Sequence, residues 1–303
     1  MEREGTALYL YCFAPSNFLG GLEGTGVDGV HPLSVFRRFP NPCAILSAVR
    51  VEEFCGEAAE VRRRDAAWFG EPVRRHEAVV EEVMRRSAVL PVRFGTLFSS
   101  YAQLTAFLQE QRAVISDFLE RVDGHEEWTV RGLLDRRQAG DVLTAAGPSP
   151  SPEPLSAPPA SGPAAPEELF GAPAPCRIQF AELPAPTRQE RALKRWIEET
   201  RWQATRDLMA QASDYCECPS APAEFGPSGI EVVLNWAYLL PRTATAAFRE
   251  RIEQLNSQHA PHGLVFHMSG PLPPYRFVPP LAMGGEPGSE PRPGARLLDR
   301  EAM

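Results

Sequence analysis

The stretch Ile230-Glu231-Val232-Val233-Leu234-Asn235-Trp236-Ala237-Tyr238-Leu239-Leu240 sets how the second half of the chain folds. Aliphatic and aromatic residues dominate it, which is typical of a buried β-strand. Side chains alternate between the two faces of a strand. We therefore expect one face to carry Ile230, Val232, Leu234, Trp236 and Tyr238.

The segments on either side of this strand complete a recognisable order. Helical periodicity predicts a long helix at 189–213 before it and a shorter one at 243–256 after it. Strands are predicted at 127–134 and 263–268, with a weaker one at 218–224. The order β-α-(β)-β-α-β is the split βαβ arrangement of ferredoxin-like domains.

The first half predicts a different set of elements. Residues 71–87 carry an apolar stripe that includes His76, and we expect Pro91 to end this helix. A strand interrupted at Gly95 follows, and then a second helix at 101–122. The predicted strands of this half lie at 7–13, 33–39 and 43–51.

The sequence therefore predicts an α+β protein with two domains. The N-terminal α/β domain takes residues 1–122, and a C-terminal modified ferredoxin-like domain takes 123–280. An insert at about 145–175 holds ten of the 31 prolines and is predicted to be a linker or long loop. The tail at 281–303 has a similar composition and is predicted to be disordered.

Composition excludes several classes of function. The net charge of -8 argues against a broad nucleic-acid-binding face. No apolar run reaches the ~18 residues of a membrane-spanning helix, and the first residues do not look like a signal peptide, so we expect a cytoplasmic protein without membrane contact. Cys216 and Cys218 lack the second ligand pair of a zinc site, so the cysteines are predicted to be free thiols.

Motifs that suggest chemistry are weak. Residues 24–29 match G-x-G-x-x-G, but no helix is predicted after them, so a loop is expected rather than a nucleotide site. His76 is expected to pack in the core and to bond to a backbone group. His262 and His267 would point to opposite faces of a regular strand, which disfavours a shared metal ion. No catalytic motif, metal site or cofactor site is predicted.

Trp202 and Met209 lie seven residues apart, on the side of the long helix opposite its apolar stripe. Aromatic and Met side chains are enriched at protein interfaces, so this pair is a candidate contact point. The alternative is that the linker or the N-terminal domain covers it.

Three segments together resemble the GvpF/GvpL gas vesicle family. The first is Leu8-Tyr9-Leu10-Tyr11. The second is His76-Glu77-Ala78-Val79-Val80 followed by Val89-Leu90-Pro91-Val92-Arg93-Phe94-Gly95-Thr96-Leu97-Phe98, similar to the family's H-x-x-V and V-L-P-x-R-F-G-T-x-F pattern. The third is Ser269-Gly270-Pro271-Leu272-Pro273-Pro274-Tyr275-Arg276-Phe277-Val278, similar to G-P-x-P-P-Y-S-F-V. Arg276 departs from this pattern, and the resemblance covers about residues 6–280 without the insert.

These motif residues have a physical interpretation of their own. The pairs Gly270-Pro271 and Pro273-Pro274 predict an extended exit from the last strand, which Tyr275 and Phe277 can pin to a neighbouring surface. Phe94 and Gly95 allow a bend that buries a ring, and Arg93 can donate to a carbonyl or carboxylate. Either structural roles or direct partner contacts would explain them.

The resemblance implies a non-enzymatic accessory protein of gas vesicle assembly or shell structure, located at the gas vesicle within the cytoplasm. It implies binding to gas vesicle shell protein A and to other accessory gas vesicle proteins. Two alternatives stay open: a small-molecule-binding regulatory module on a ferredoxin-like fold, and an enzyme that uses His76 or the histidines at 259–267.

Overall fold

A computed structural model describes residues 5–18, 22–54, 66–145, 187–219 and 230–282. The insert predicted at 145–175, apart from residue 145, lies outside the described residues. The same holds for the tail predicted at 281–303, apart from residues 281 and 282. No helix in the described ranges is long and apolar enough to cross a membrane.

The described elements mix strands and helices along the chain. The strands are β1 (Thr6–Ala14), β2 (Ser34–Phe36), β3 (Cys43–Arg50), β4 (Leu90–Pro91), β5 (Leu97–Phe98), β6 (His125–Asp135), β7 (Asp214–Glu217), β8 (Ile230–Pro241) and β9 (Leu264–Leu272). The α-helices are α1 (Val51–Phe54), α2 (Ala66–Met84), α3 (Tyr101–Val122), α4 (Arg136–Ala145), α5 (Arg188–Met209) and α6 (Thr245–His259). Three short 3-10 turns lie at Arg242–Ala244, Ala260–His262 and Tyr275–Phe277. The α+β class is confirmed.

The first sheet is built around β1. Its order is β2-β3-β1-β4, and β5 pairs with the same edge of β1 as β4 does; all pairs are antiparallel. Every residue of β1 after Thr6 is buried. This is because α2 covers one face with Val79, Val80 and Val83, while α3 covers the other. A strand covered on both faces needs a continuous apolar sequence, which residues 7–13 have.

The second sheet has the order β7-β8-β6-β9 and is also antiparallel. Helices α5 and α6 pack on one face through a separate core that includes Leu208 and Phe248. On the other face, Ala237 and Leu239 belong to the same buried cluster as the inward residues of α3. Helix α3 therefore lies between the two sheets.

Helix α3 has the bounds that its sequence predicts. The Ser100 hydroxyl caps it by accepting a hydrogen bond from the Gln103 amide at 3.2 Å. Its buried residues are Leu104, Phe107, Leu108, Ile115, Phe118, Leu119 and Val122. Burying a large apolar side chain stabilises a fold by roughly 1.5–3 kcal/mol, so this helix contributes strongly to the core.

The expectation that Pro91 ends the preceding helix is wrong. Helix α2 ends at Met84, and Pro91 lies in β4, opposite Cys12 of β1. Residues 88–92 are buried against the first sheet, so tertiary packing makes this stretch a strand. Pro72, by contrast, lies inside α2.

Three further features of the fold differ from the sequence prediction. Helix α4 was not predicted, although Asp135 caps it by accepting hydrogen bonds from the amides of Arg137 and Gln138. A register shift between Gly132 and Leu133 breaks the alternation of β8 and leaves Ile230 39% exposed. Strand β7 ends at Glu217, before the strand predicted at 218–224 begins, and residues 220–224 of that prediction lie outside the described residues.

The outer edge of β9 is paired with a side chain. The Asn256 amide donates to the Phe266 carbonyl at 2.9 Å, and its oxygen accepts from the Phe266 amide at 2.7 Å. These two bonds replace the hydrogen bonds that a neighbouring strand would make. They give partners to the Phe266 backbone amide and carbonyl, which would otherwise be unpaired at the sheet edge.

Replacing Asn256 with Ala should lower the free energy of unfolding by roughly 1–2 kcal/mol, because the backbone groups of Phe266 lose both partners. Urea unfolding followed by circular dichroism measures this loss. Gln258→Ala, an exposed position on the same helix, is the control and should change little. Equal stability of the two variants would contradict this role of Asn256.

Candidate functional site

The segments that carry the family resemblance meet at one place. The 3-10 turn Tyr275–Phe277, which follows β9, lies against α2, β6 and α3. We call these three residues the clasp. Each of them bonds to a different element, so the clasp connects the first sheet and its helices with the second sheet.

Tyr275 reaches the buried His76 on α2. Its hydroxyl lies 3.3 Å from His76 Nε2, and 3.1 and 3.2 Å from the two carboxylate oxygens of Glu77. The other ring nitrogen, His76 Nδ1, lies 3.0 Å from the Tyr9 hydroxyl of β1. His76 Nε2 also lies 3.2 Å from the Val92 carbonyl. The expectation that His76 packs and bonds to backbone is confirmed.

These distances fix the direction of each proton. A carbonyl can only accept, so His76 Nε2 carries the hydrogen and donates it to Val92. Nδ1 then accepts from the Tyr9 hydroxyl, which accepts in turn from the Gly95 amide at 3.0 Å. The Tyr275 hydroxyl donates to Glu77. Every polar atom in this chain of bonds has a partner, which a buried network needs if it is to stabilise the fold.

Burial also sets the charges in this network. His76 is 0% exposed, and burial lowers its pKa to about 4, so the ring is neutral near pH 7. Burial raises the pKa of Glu77, while its hydrogen bond from Tyr275 acts in the opposite direction. A neutral ring surrounded by protein is placed to hold neighbouring groups and is not open to a substrate.

The turn between β4 and β5 completes the environment of His76. Gly95 has a φ of 85°, a backbone conformation that favours glycine, and it lets the chain turn so that its amide meets Tyr9. The Phe94 ring lies 5.8 Å from the His76 ring and 6.0 Å from the Tyr9 ring, both edge-on. Phe94 and Gly95 thus form a turn that packs against this histidine.

Arg276 joins the clasp to the second sheet. Its amide donates to Glu127 Oε2 at 3.1 Å, and its Nε lies 3.4 Å from Oε1. Glu127 is 2% exposed, and burial raises its pKa to about 7 against the opposing effect of Arg276. The side chain at the position that departs from the family pattern therefore partners a buried carboxylate.

Phe277 anchors the clasp on α3. Its ring is buried in the core that both sheets share, and its carbonyl accepts a hydrogen bond from Arg121 Nη2 at 2.8 Å. Pro274 is buried just before it, and Pro271 lies in β9. Gly270 approaches the Trp128 ring so closely that a Cβ would lie 2.9 Å from a ring carbon. The extended exit predicted here is instead a strand to Leu272 followed by a 3-10 turn.

The other candidate residues lie away from the clasp. Arg93 is exposed, and its guanidinium has no partner within the described part of the chain. Trp202 is 62% exposed on α5, where Arg206 stacks over its ring at 4.8 Å. Met209 is partly buried against the second core, so the interpretation of Trp202 and Met209 as one exposed contact point is wrong for Met209.

The weaker motifs are not assembled into a site. The loop at 24–29 forms a turn closed by the Thr25–Pro32 bridge and is not followed by a helix. His262 lies in a 3-10 turn beside Trp196, and His267 lies in β9, so the argument from opposite faces of one strand does not apply. Among the residues that the structure describes, no cluster of His, Cys, Asp or Glu could hold a metal ion.

A groove of about 430 Å³ opens between the end of α2, the end of α3 and the loops near Asn17 and Asn41. Arg86, Glu120 and Asp123 line it. It is open to solvent and shares no residue with the clasp. The described cysteines, Cys12, Cys43, Cys216 and Cys218, are free thiols.

Sequence reasoning missed the residues that the clasp binds. Tyr9 and Glu77 were quoted in the motifs without a role of their own. Glu127 and Arg121 were not selected at all. An acid at the start of an apolar strand was a signal for Glu127.

Replacing Tyr275 with Phe should destabilise the protein by about 1–3 kcal/mol, because the half-buried Glu77 carboxylate loses its donor. Urea unfolding tests this. Tyr101→Phe is a matched control: its side chain is 46% exposed, and its hydroxyl has no hydrogen-bond partner in the described ranges. Loss of stability in both variants, or in neither, would contradict the role of Tyr275.

Glu127 predicts a pH dependence with a definite sign. The ordinary pKa of a Glu side chain is near 4.5, and in the folded state that of Glu127 is about 7. Between these values the folded state holds a proton that the unfolded state has lost, so this group's contribution to stability falls as the pH rises. The Gln side chain of Glu127→Gln does not titrate. Between pH 4.5 and pH 8, the unfolding free energy of this variant should therefore rise relative to that of the wild type by on the order of 2–3 kcal/mol. Parallel pH profiles of Glu127→Gln and the wild type would rule this out; Glu110→Gln, at an exposed position, is the control.

Comparisons with known proteins agree on one family. Residues 7–279 match the family described as gas vesicle synthesis protein GvpL/GvpF. Gas vesicle protein F of Streptomyces sp. (strain CB03234) is 26% identical over 243 residues, which are 79% of this chain and 89% of that protein. Gas vesicle protein L of the same strain is 25% identical over 123 residues, 40% of this chain, and the match spans only 46% of that protein's length.

Two solved structures share the fold. The crystal structure of GvpF from Anabaena sp. PCC7120 matches with a TM-score of 0.62 at 18% identity, covering 90% of this chain and 96% of that one. GvpF from Microcystis aeruginosa matches with a TM-score of 0.58 at 17% identity, covering 90% and 99%. Because the family match extends over residues 7–279 of 303, the chain belongs to the gas vesicle synthesis protein GvpL/GvpF family and has a gas vesicle-related role.

Proposed function

We propose that this protein is a non-enzymatic accessory protein of gas vesicle assembly or shell structure. It acts by binding gas vesicle shell protein A and other accessory gas vesicle proteins, at the gas vesicle within the cytoplasm, and needs no cofactor. The observation that carries this proposal is the use of the family-motif side chains in the clasp. Those side chains hold the two sheets together, so recognition is left to exposed surfaces.

The physical reason for such a partner lies in how shells assemble. Subunits that will pack into a shell expose apolar surface and strand edges beforehand, and such surfaces aggregate. A rigid protein that covers them, or that holds them in register, lowers this hazard. The shared core around α3 gives the protein the rigidity that this role needs.

The fold supports a division into two domains in this role. The N-terminal α/β domain holds the first sheet, and the C-terminal domain begins after Val122. The order β6-α4-α5-β7-β8-α6-β9, in which α4 is an addition to the split βαβ pattern, and the sheet order β7-β8-β6-β9 support a modified ferredoxin-like unit. The clasp and α3 bridge the two.

Trp202 is the side chain best placed for a partner contact on α5. It is 62% exposed, and the Arg206 guanidinium lies 4.8 Å from its ring centroid. Trp and Arg are the residue types that contribute most often to binding energy at protein interfaces. A large ring held in place by an arginine loses less conformational freedom on binding.

Co-purification with shell protein A tests this proposal. We expect the wild-type chain to retain shell protein A, and Trp202→Ala to weaken the interaction about tenfold, as for a residue worth about 1.4 kcal/mol. Its thermal stability should not change, because the ring is exposed. Gln203→Ala, an exposed neighbour on the same helix, is the control.

The outcomes separate the parts of the proposal. Absence of binding to both the monomeric and the assembled shell protein would overturn the proposed partner. Binding that is the same in Trp202→Ala and Gln203→Ala would remove Trp202 from the interface and leave the partner in place.

A further inference from the structure

A second exposed surface follows the edge of the first sheet. The chain after β2 lies along α3: the Phe36 ring is 5.2 Å from the Tyr101 ring, and Asn41 Nδ2 is 3.4 Å from Ser116 Oγ. Residues 36–41 therefore follow α3 from its first turn to its last third. We call the surface formed by Arg37, Arg38, Arg112, Phe36, Phe39 and Tyr101 the arginine strip.

The three arginines of the strip are exposed and have no carboxylate partner among the described residues. Arg37 Nη2 donates to the Phe18 carbonyl at 2.9 Å, and Arg112 Nε donates to the Asn41 carbonyl at 3.0 Å. The Arg112 guanidinium also lies 5.8 Å from the centroid of the Phe39 ring. Both polar contacts are to neutral groups, and most of each guanidinium's donors remain available.

Ion pairs are common among the other described arginines, although some, such as Arg93 and Arg137, also lack one. Acidic residues outnumber basic ones by 39 to 31, and ten other arginines form ion pairs with Asp or Glu. In the described part of the chain, none of the three arginines of the strip does so. A cluster of unpaired positive charge on an acidic protein complements a negatively charged partner.

Two other features indicate that the partner is an extended polypeptide. Phe36 and Phe39 are partly exposed, and Tyr101 is 46% exposed, so aromatic surface accompanies the charge. Among the described strands β2 pairs only with β3, so within the described ranges its other edge is free for an added strand. An edge strand gives backbone hydrogen bonds to an extended segment, and side chains beside it give specificity.

We propose that the arginine strip binds an extended acidic segment of a protein partner. The open edge of β2 aligns the segment, its carboxylates bond to Arg37, Arg38 and Arg112, and its apolar side chains lie on Phe39 and Tyr101. The planar guanidinium matches a carboxylate with two parallel hydrogen bonds, which a point charge cannot do. This surface is separate from Trp202, so it adds a second contact to the proposed function.

A nucleic acid is the less suitable occupant. Binding to a phosphate backbone relies on many neutralised phosphates, and this strip offers three arginines on a chain of net charge -8. The open strand edge also has no use in binding a sugar-phosphate chain. Nucleic-acid binding is therefore an outcome of the test that would overturn the proposal.

Fluorescence anisotropy with the full chain tests the strip. The probe is a fluorescein-labelled peptide that alternates Glu with Val and Thr, and the control probe has Lys in place of each Glu. We expect the acidic probe to bind, Arg38→Glu to weaken it about tenfold, and added salt to weaken it further. Arg137→Glu, at an exposed arginine without an ion pair in the described ranges, should bind as the wild type does. Arg112→Glu, checked for folding by circular dichroism, should repeat the effect of Arg38→Glu.

Equal binding of both probes, no binding of the acidic probe, or no effect of Arg38→Glu would overturn the proposal. The proposal would also be overturned if an oligothymidylate bound more tightly than the acidic probe and this binding depended on Arg38. Failure here is distinct from failure of the proposed function: shell protein A can still co-purify with Arg38→Glu when the strip has no role.

Discussion

A histidine buried between α2 and the first sheet needs a hydrogen-bond partner at each ring nitrogen. Much of the structure depends on how these partners are supplied. His76 is fully buried and neutral, with Tyr9 on one side and Val92 and Tyr275 on the other. An unpaired polar group in that position would cost about 1–3 kcal/mol. The strand before it, the turn after it and the last turn of the described chain must therefore all be in place together.

This requirement explains why the two sheets form a single body. The clasp contributes the Tyr275 hydroxyl to the first core, the Arg276 amide to Glu127 of the second sheet and the Phe277 ring to the core around α3. Helix α3 supplies apolar side chains to both sheets, so directional hydrogen bonds and non-directional burial act on the same junction. Separating the sheets would expose Phe277 and leave Glu127 without its donor.

The clasp residues that carry the family resemblance and the residues that we propose for partner contact lie in different places. Residues that carry the resemblance, such as His76 and Tyr275, have their hydrogen-bond partners inside the fold. The surfaces that we propose for partners lie elsewhere, at the exposed Trp202 on α5 and at the arginine strip along α3.

The sequence by itself determined the local elements: β1 from its continuous apolar run, α3 from its period and its Ser100 cap, and the loop at 24–29 from the lack of a following helix. Features that depend on contacts between distant segments were decided only by the tertiary structure. His76 meets partners 67 and 199 residues away, Pro91 lies in a strand because β1 is beside it, and a register shift turns Ile230 outward. The physical reason is that periodicity and capping act within a few residues, whereas the pairing of buried polar groups depends on which distant segments share a core.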